Sequence, residues 1–302
     1  MLLAVGIALL IKGSDLLVDS AEKLALGVGV PVLIVGFTLV AAGTSVPELV
    51  VGLNAVLQGV GDVVPGNVVG ANIANLCLIL GVAALVRPLV VRKSIVRFDI
   101  PAVVVISVLI ALLALDGTIG GADGLVLLAA AAVYFYFILR TLKQTHPPSA
   151  ERKRPRLIDI ALLAAGIIAV MAGGKITLDT AVGIAVSIGV SPYLIGLTVI
   201  SIGTTLPELA TSVTASHKGS GDLVLGNCLG SFSFNALVIL GLCSLINPLP
   251  IPGFLDIAVM GIVAAMLMPL ILRGYVLDKQ EGALLVTFYV LYIAYQILMS
   301  GI

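Results

Sequence analysis

"GTSVPELV", residues 43–50, lies inside a stretch that otherwise reads as membrane-buried, and Glu48 is its only charge. The pattern returns as "GTTLPELA" at residues 203–210, which places Glu208 in the same setting. Pro47 has no N–H to give to the Gly43 carbonyl four residues back, and its ring strains the preceding turn. Gly43 makes the break easier. Irregular backbone at membrane depth survives only where it is buried in protein or lines a hydrated cavity, so the freed carbonyls need a partner, and a cation supplies one. Thr44 and Ser45 add hydroxyl oxygens, and Glu48, one helical turn beyond Thr44, brings a carboxylate to the same face. Thr204, Thr205 and Glu208 repeat this around Pro207. Carboxylate, hydroxyl, amide and carbonyl oxygens without sulfur or imidazole suit a hard cation such as Ca²⁺ or Na⁺ rather than Zn²⁺ or copper. A lone Gly-Thr-Ser-x-Pro is most often a kink with its hydroxyls bonded back to the helix. A glutamate at the centre of a span is different, because it costs about 2.5–3.5 kcal/mol on insertion scales and marks ion or proton pathways.

Composition fixes the setting. Hydrophobic residues make up 60% of the chain and charged residues 11%, against about a quarter charged in soluble domains; the mean hydropathy is +1.23. This is the composition of an integral membrane protein whose partner is the lipid bilayer. With 16 basic and 16 acidic residues, nothing marks a nucleic-acid partner, and no obligate protein partner is evident. Cys77, Cys228 and Cys243 stand in apolar segments without CxxC spacing and read as packing residues. Residues 1–17 have no basic segment before them and read as a retained first span rather than a signal peptide.

Runs long enough to span a bilayer, about 20 apolar residues, fall at about 1–18, 30–56, 63–86, 100–115, 124–142, 157–177, 190–215, 223–246, 254–272 and 282–299. The fold class is therefore an all-α membrane protein of ten transmembrane helices, with the second and seventh broken. The polar segment "KQTHPPSAERKRPR", residues 143–156, divides the chain into halves of five spans, 1–142 and 157–302. His146 and His217 read as solvated loop residues.

The halves are copies. Sliding the sequence by 160 residues aligns 27–88 with 187–248 without a gap, and twenty-three of the sixty-two positions are identical. Among them are Gly43/Gly203, Pro47/Pro207, Glu48/Glu208, Asp62/Asp222, Asn67/Asn227 and Asn75/Asn235. An odd number of spans per half inverts the second copy, the architecture in which a midplane site and alternating access commonly arise. Basic residues agree. With 143–156 in the cytoplasm, Lys23, the groups at 87–97 and 140–156, Lys218, Arg273 and Lys279 all fall inside, and both termini lie outside. The connections near 57–62, 116–123 and 247–253 carry no Lys or Arg. Asp62 and Asp222 follow glycines in short connections and read as helix caps rather than ligands.

"GTSVPEL" followed by "GNVVGANIANLCLILG", then "GTTLPEL" followed by "GNCLGSFSFNALVILG", resemble the two α-repeats of the cation/Ca²⁺ exchanger superfamily, closest to its prokaryotic Na⁺/Ca²⁺ exchanger branch. The resemblance covers essentially the whole chain, with repeat motifs at 36–81 and 196–241. It implies ion ligands at Thr44, Ser45, Glu48 and Asn75 in the first copy and at Thr204, Thr205, Glu208, Ser231 and Asn235 in the second. It adds backbone oxygens at Ala41 and Ser201, and makes the first and sixth spans the sliding elements. Three positions depart from the pattern. Ala71 stands where archaeal relatives carry a Na⁺-binding serine, Asn235 where K⁺-dependent members carry aspartate, and Phe232 where the first copy has Asn72.

Glu48 and Glu208 give the site a formal charge of −2, enough for one Ca²⁺ or two Na⁺, so that each ion displaces the other. The resemblance implies Ca²⁺ and Na⁺ as the transported ions and no cofactor. A Ca²⁺/H⁺ antiporter could protonate the same glutamates, but that branch favours GNxxE with a following His, and Leu49 and Leu209 stand here. A channel would use the same oxygens without needing duplicated broken helices. An intramembrane enzyme with paired glutamates would need a nucleophile or metal-binding His, and neither is found.

Overall fold

The computed structural model describes residues 1–144, 157–189, 201–251 and 253–299. The connection called at 143–156, apart from its first two residues, and the opening of the seventh span, residues 190–200, lie outside the described residues.

The chain is helical almost throughout. Helix α1 is Leu2–Val28, ended by Gly29 in the left-handed region with its N–H on the Ala25 carbonyl. Helices α2 (Val32–Thr44) and α3 (Val46–Leu57) meet at Ser45 with a 43° bend. Then follow α4 (Val63–Val86), α5 (Ile95–Leu113), α6 (Gly121–Gln144) and α7 (Leu157–Ser187). The second half continues with α8 (Ser201–Thr204), α9 (Leu206–His217), α10 (Gly221–Ile246), α11 (Phe254–Leu272) and α12 (Lys279–Met299). Among the described residues seven helices are long and apolar enough to cross a membrane, or eight counting the bent pair α2–α3. Helix α1 has the length, but Lys12, Asp15, Asp19, Glu22 and Lys23 interrupt its apolar run, and it extends ten residues past the expected end at residue 18.

Burial sorts the helices. In α4 and α10 the apolar window is 78% and 72% buried, against 17–44% in the other span candidates, so these two form the centre. Helix α4 packs on α12, and α10 packs on α6. The contacts match residue for residue. A Cβ on Gly282 would stand 2.7 Å from the Gly81 carbonyl, and one on Gly124 would stand 2.7 Å from that of Gly241. The starts of α6 and α12 are also capped alike, the Asp123 carboxylate accepting from Gly120 N at 2.8 Å and that of Glu281 from Asp278 N at 2.9 Å. Helices α1 and α7 run along each other through glycines. A Cβ on Gly173 would come within 2.6 Å of the Leu10 nitrogen, and one on Gly166 within 2.7 Å of that of Leu17.

Two short antiparallel strand pairs tie the halves at the helix ends. Strand β1 (Leu89–Val90) pairs with β4 (Val276–Leu277), and β2 (Thr118–Ile119) pairs with β3 (Leu249–Pro250). Because β1 precedes α5 and β2 follows it, the pairs mark opposite ends of the molecule. The β1–β4 end gathers charge. Arg92 is paired with Asp222, Lys93 lies over the Tyr275 ring, and Lys218 binds Asp15 at 3.2 Å and Asp19 at 2.7 Å. Asp222 is therefore not a helix cap but an ion-pair partner across the halves, and Asp62 occupies the N-cap position of α4 without a side-chain hydrogen bond. His217 is exposed as expected, but it is the last residue of α9 rather than part of a loop. The three cysteines are free and buried.

Candidate cation-binding site

The break in the first motif sits at Ser45, and Pro47 occupies the opening turn of α3, where its missing N–H costs no helical bond. Gly43 serves packing rather than the break, since a Cβ there would come within 2.8 Å of Ile167. The second motif is built alike, with Thr205 at the cap position before α9 and Pro207 in its opening turn. Both breaks carry their glutamates into the first turn of the helix that follows. There the negative charge faces the positive end of the helix dipole.

Glu48 and Glu208 are both buried, at 0% and 1% exposure. The hydroxyls do not serve the glutamate of their own motif, as the same-face reading expected. Because the chain bends between Thr44 and Glu48, they reach across the halves. Ser45 Oγ donates to Glu208 Oε1 at 3.1 Å, Thr44 also lies against Glu208, and Thr204 lies against Glu48. Thr44 Oγ1 further approaches the Ala41 carbonyl and Asn227 Oδ1, each at 3.3 Å. Thr205 donates to the Ile202 carbonyl at 2.9 Å. Ser231 donates to the Ala41 carbonyl at 3.4 Å, an oxygen that also accepts from Ser45 N at 3.0 Å. Ser201 opens α8.

Asn75 and Asn235 occupy matching places on the central helices. Each lies in a π-helical turn, Ala74–Ile79 in α4 and Phe234–Ile239 in α10, a distortion frequent at functional sites. Both are 1% exposed, and among the described residues neither polar atom of either side chain has a hydrogen-bond partner. The same is true of both oxygens of Glu48 and of Glu208 Oε2. Buried polar atoms are nearly always paired, so this group of oxygens fits a ligand set for a hard cation. Among the described residues no group of three His, Cys, Asp or Glu side chains forms a metal cluster; the donors around the two carboxylates are neutral oxygens.

One participant was missed as a site residue. Asn227, fully buried, donates to Ser212 Oγ at 3.1 Å and to the Glu208 carbonyl at 3.5 Å, besides meeting Thr44. Its signal was the asparagine of GNxxG, which recurs as Asn67. Beside the site, a cavity of about 480 Å³ runs past Pro47, Thr204 and Pro207 to the exposed Lys175–Asp179 pair on α7.

A bent, duplicated carboxylate site between two buried helices defines a membrane transporter rather than an enzyme. The chain belongs to the sodium/calcium exchanger protein family, whose model matches residues 1–140 and 158–298. It is 34% identical over 258 residues to Inner membrane protein YrbG of Escherichia coli (strain K12), covering 82% of this chain and 79% of that one. It is 32% identical to Sodium/calcium exchanger MaX1 of Methanosarcina acetivorans, covering 97% of each. Among solved structures, the sodium-calcium exchanger NCX_Mj soaked with zero Na⁺ and Ca²⁺ superposes with a TM-score of 0.87 at 29% identity, covering 98% of this chain and 97% of that one.

Proposed function

We propose that the chain exchanges Na⁺ for Ca²⁺ by alternating access at the Glu48–Glu208 site. The observation that carries this is the reciprocal arrangement of two buried carboxylates, each facing hydroxyls of the opposite half, with the unpaired amides of Asn75 and Asn235 on turns packed against α9 and α3. A formal charge of −2 is balanced by one Ca²⁺ or two Na⁺, and a buried carboxylate pair is costly without a counter-ion. Occupancy by one ion therefore excludes the other, which couples their fluxes.

The ligands in this reading are Glu48, Thr44, Ser45 and Asn75 with Glu208, Thr204, Thr205, Ser231 and Asn235, and the carbonyls of Ala41 and Ser201. The architecture is ten spans in two inverted repeats, 1–142 and 157–302. Helix α1 and the broken segment that ends in α9 complete the ten. Supporting the inversion are the exchanged contacts α4–α12 and α10–α6 and the two strand pairs. Helices α1 and α7 are the sliding pair, and their glycine seam suits movement. The protein lies in the cell membrane with its termini outside, the 143–156 connection in the cytoplasm, and the 480 Å³ cavity on the outer side.

Purified protein in sealed vesicles tests the reading. Isotopic Ca²⁺ is expected to enter when an outward Na⁺ gradient is imposed and to stay out without one. Uptake driven by a pH gradient and indifferent to Na⁺ would instead make it a Ca²⁺/H⁺ antiporter.

A further inference from the structure

Away from the glutamates, α5 carries another buried acid. Asp99 is 7% exposed, and among the described residues its carboxylate has no hydrogen bond or ion pair. Tyr134, on α6, faces it, and the Tyr134 hydroxyl is buried without a well-formed hydrogen bond among the described residues. Ser233 also lies beside Tyr134; its own proton goes to the Leu229 carbonyl at 2.9 Å, and its lone pairs stay open to the Tyr134 O–H. Asp99 and Tyr134 line a cavity of about 350 Å³ together with Ser94, Phe98, Phe137 and Ile138. A carboxylate without a partner, beside a tyrosine hydroxyl in one apolar cavity, needs an explanation.

The second half supplies the control. Matching Gly124 of α6 to Gly282 of α12 sets Tyr134 on Tyr292 and Ile138 on Gln296, and matching "FDI" at 98–100 to "LDI" at 255–257 sets Asp99 on Asp256. There the pair is closed. Tyr292 donates to Asp256 Oδ1 at 3.0 Å, and Gln296 Nε2 reaches Asp256 Oδ1 at 2.5 Å and the Tyr292 hydroxyl at 2.9 Å. In the first half the amide that completes this cluster is replaced by Ile138, which has no N–H to give.

We infer that the α5–α6 cavity binds a phospholipid with a primary ammonium headgroup, a phosphatidylethanolamine. Its ammonium N–H groups take the place that the Gln296 amide fills in the other half, donating to Asp99 and Tyr134. Its acyl chain lies along Phe98 and Phe137, which are 62% and 55% exposed on the outside of the bundle. Arg97 and Arg140, both exposed and within a turn of these residues on the same two helices, complement the phosphate. One buried acid flanked by exposed bases matches a zwitterion with its cation inward and its anion at the surface. The position agrees, since α5 begins and α6 ends at the basic end of the molecule, at headgroup level. A trimethylated headgroup has the same charge but no N–H and cannot make these bonds.

Native mass spectrometry of the purified protein tests this. The delipidated protein is offered equal amounts of phosphatidylethanolamine and phosphatidylcholine with identical acyl chains. The wild type is expected to retain the ethanolamine lipid about tenfold better, the scale of one charge-assisted hydrogen bond. Asp99→Asn is expected to remove the preference. Ile138→Gln, which supplies the closing amide, is expected to remove it as well without lowering the melting temperature, so the test stands even if Asp99→Asn misfolds. Equal retention of the two lipids by the wild type, or an undiminished preference in Ile138→Gln, would overturn the assignment. Competition by soluble phosphoethanolamine as effective as that by the lipid would also overturn it, because the acyl chain would then contribute nothing.

Discussion

Glu208 and Glu48 occupy the same place in the same motif, yet Glu208 accepts a hydrogen bond from Ser45 at 3.1 Å while neither oxygen of Glu48 has such a bond. The asparagines behind them differ in the same sense. Asn227 is held by Ser212 and the Glu208 carbonyl, whereas the amide nitrogen of Asn67 is buried and unpaired. The cause lies one helix away. Position 52, the counterpart of Ser212, is glycine, and a Cβ there would already stand 3.1 Å from Cys243 Sγ. Close packing of α3 on α10 thus removes the hydroxyl that braces the other half. The two matching sets of side chains therefore sit in unequal frames: among the described residues the second-half set is hydrogen-bonded by protein more fully than the first-half set.

The largest effect that could break this comparison is expected at the carboxylates themselves. Glu48→Gln and Glu208→Gln should each reduce Na⁺-driven Ca²⁺ uptake at least about a hundredfold, since removing one of two buried charges costs about 3 kcal/mol or more. Near-wild-type flux in either variant would remove that residue from the site. A smaller effect separates brace from ligand. Ser212→Ala should weaken apparent Ca²⁺ affinity about fivefold through the loss of about 1 kcal/mol of hydrogen bonding. Unchanged affinity would mean that the asymmetry has no bearing on transport. Smaller again, Ala71→Ser gives the first half the hydroxyl that Ser231 gives the second. It should raise apparent Na⁺ affinity on the order of threefold, as one added neutral ligand oxygen. An unaltered Na⁺ dependence of Ca²⁺ flux would count against this. Finally, replacing K⁺ by an inert organic cation at clamped membrane potential should change nothing. Asn75 and Asn235 are both neutral, and a K⁺ added beside Ca²⁺ would leave the buried site with net positive charge. A several-fold stimulation by K⁺ would require a third acid near the site, and Asp15, in the middle of α1, is already paired with Lys218.

Much of this was legible in the chain. The paired motifs marked both breaks and both glutamates, because a proline and a charge inside an apolar run have few physical readings. The spacing from Glu48 to Asn75 carried over to Glu208 and Asn235. The direction of the hydroxyls was not legible, since whether Ser45 faces Glu48 or Glu208 depends on a 43° bend and on how the halves dock. Asp222 read as a cap because its neighbours in sequence are turn residues, while its partner Arg92 lies in the other half. The pairing of Asp99 with Tyr134 leaves no mark in the sequence, because a single acid near a helix start resembles a surface residue until the fold buries it.

The exchanged packing of the central helices has a consequence for biosynthesis. Helix α4 carries Asn75 and is covered by α12, which leaves the ribosome only after nearly all of the second half has been made. The first half must therefore wait in the bilayer with the Asn75 turn of α4 still lacking its α12 cover. On this packing neither half is expected to fold alone, and severing the chain at the central connection should yield stable protein only when both pieces are produced together.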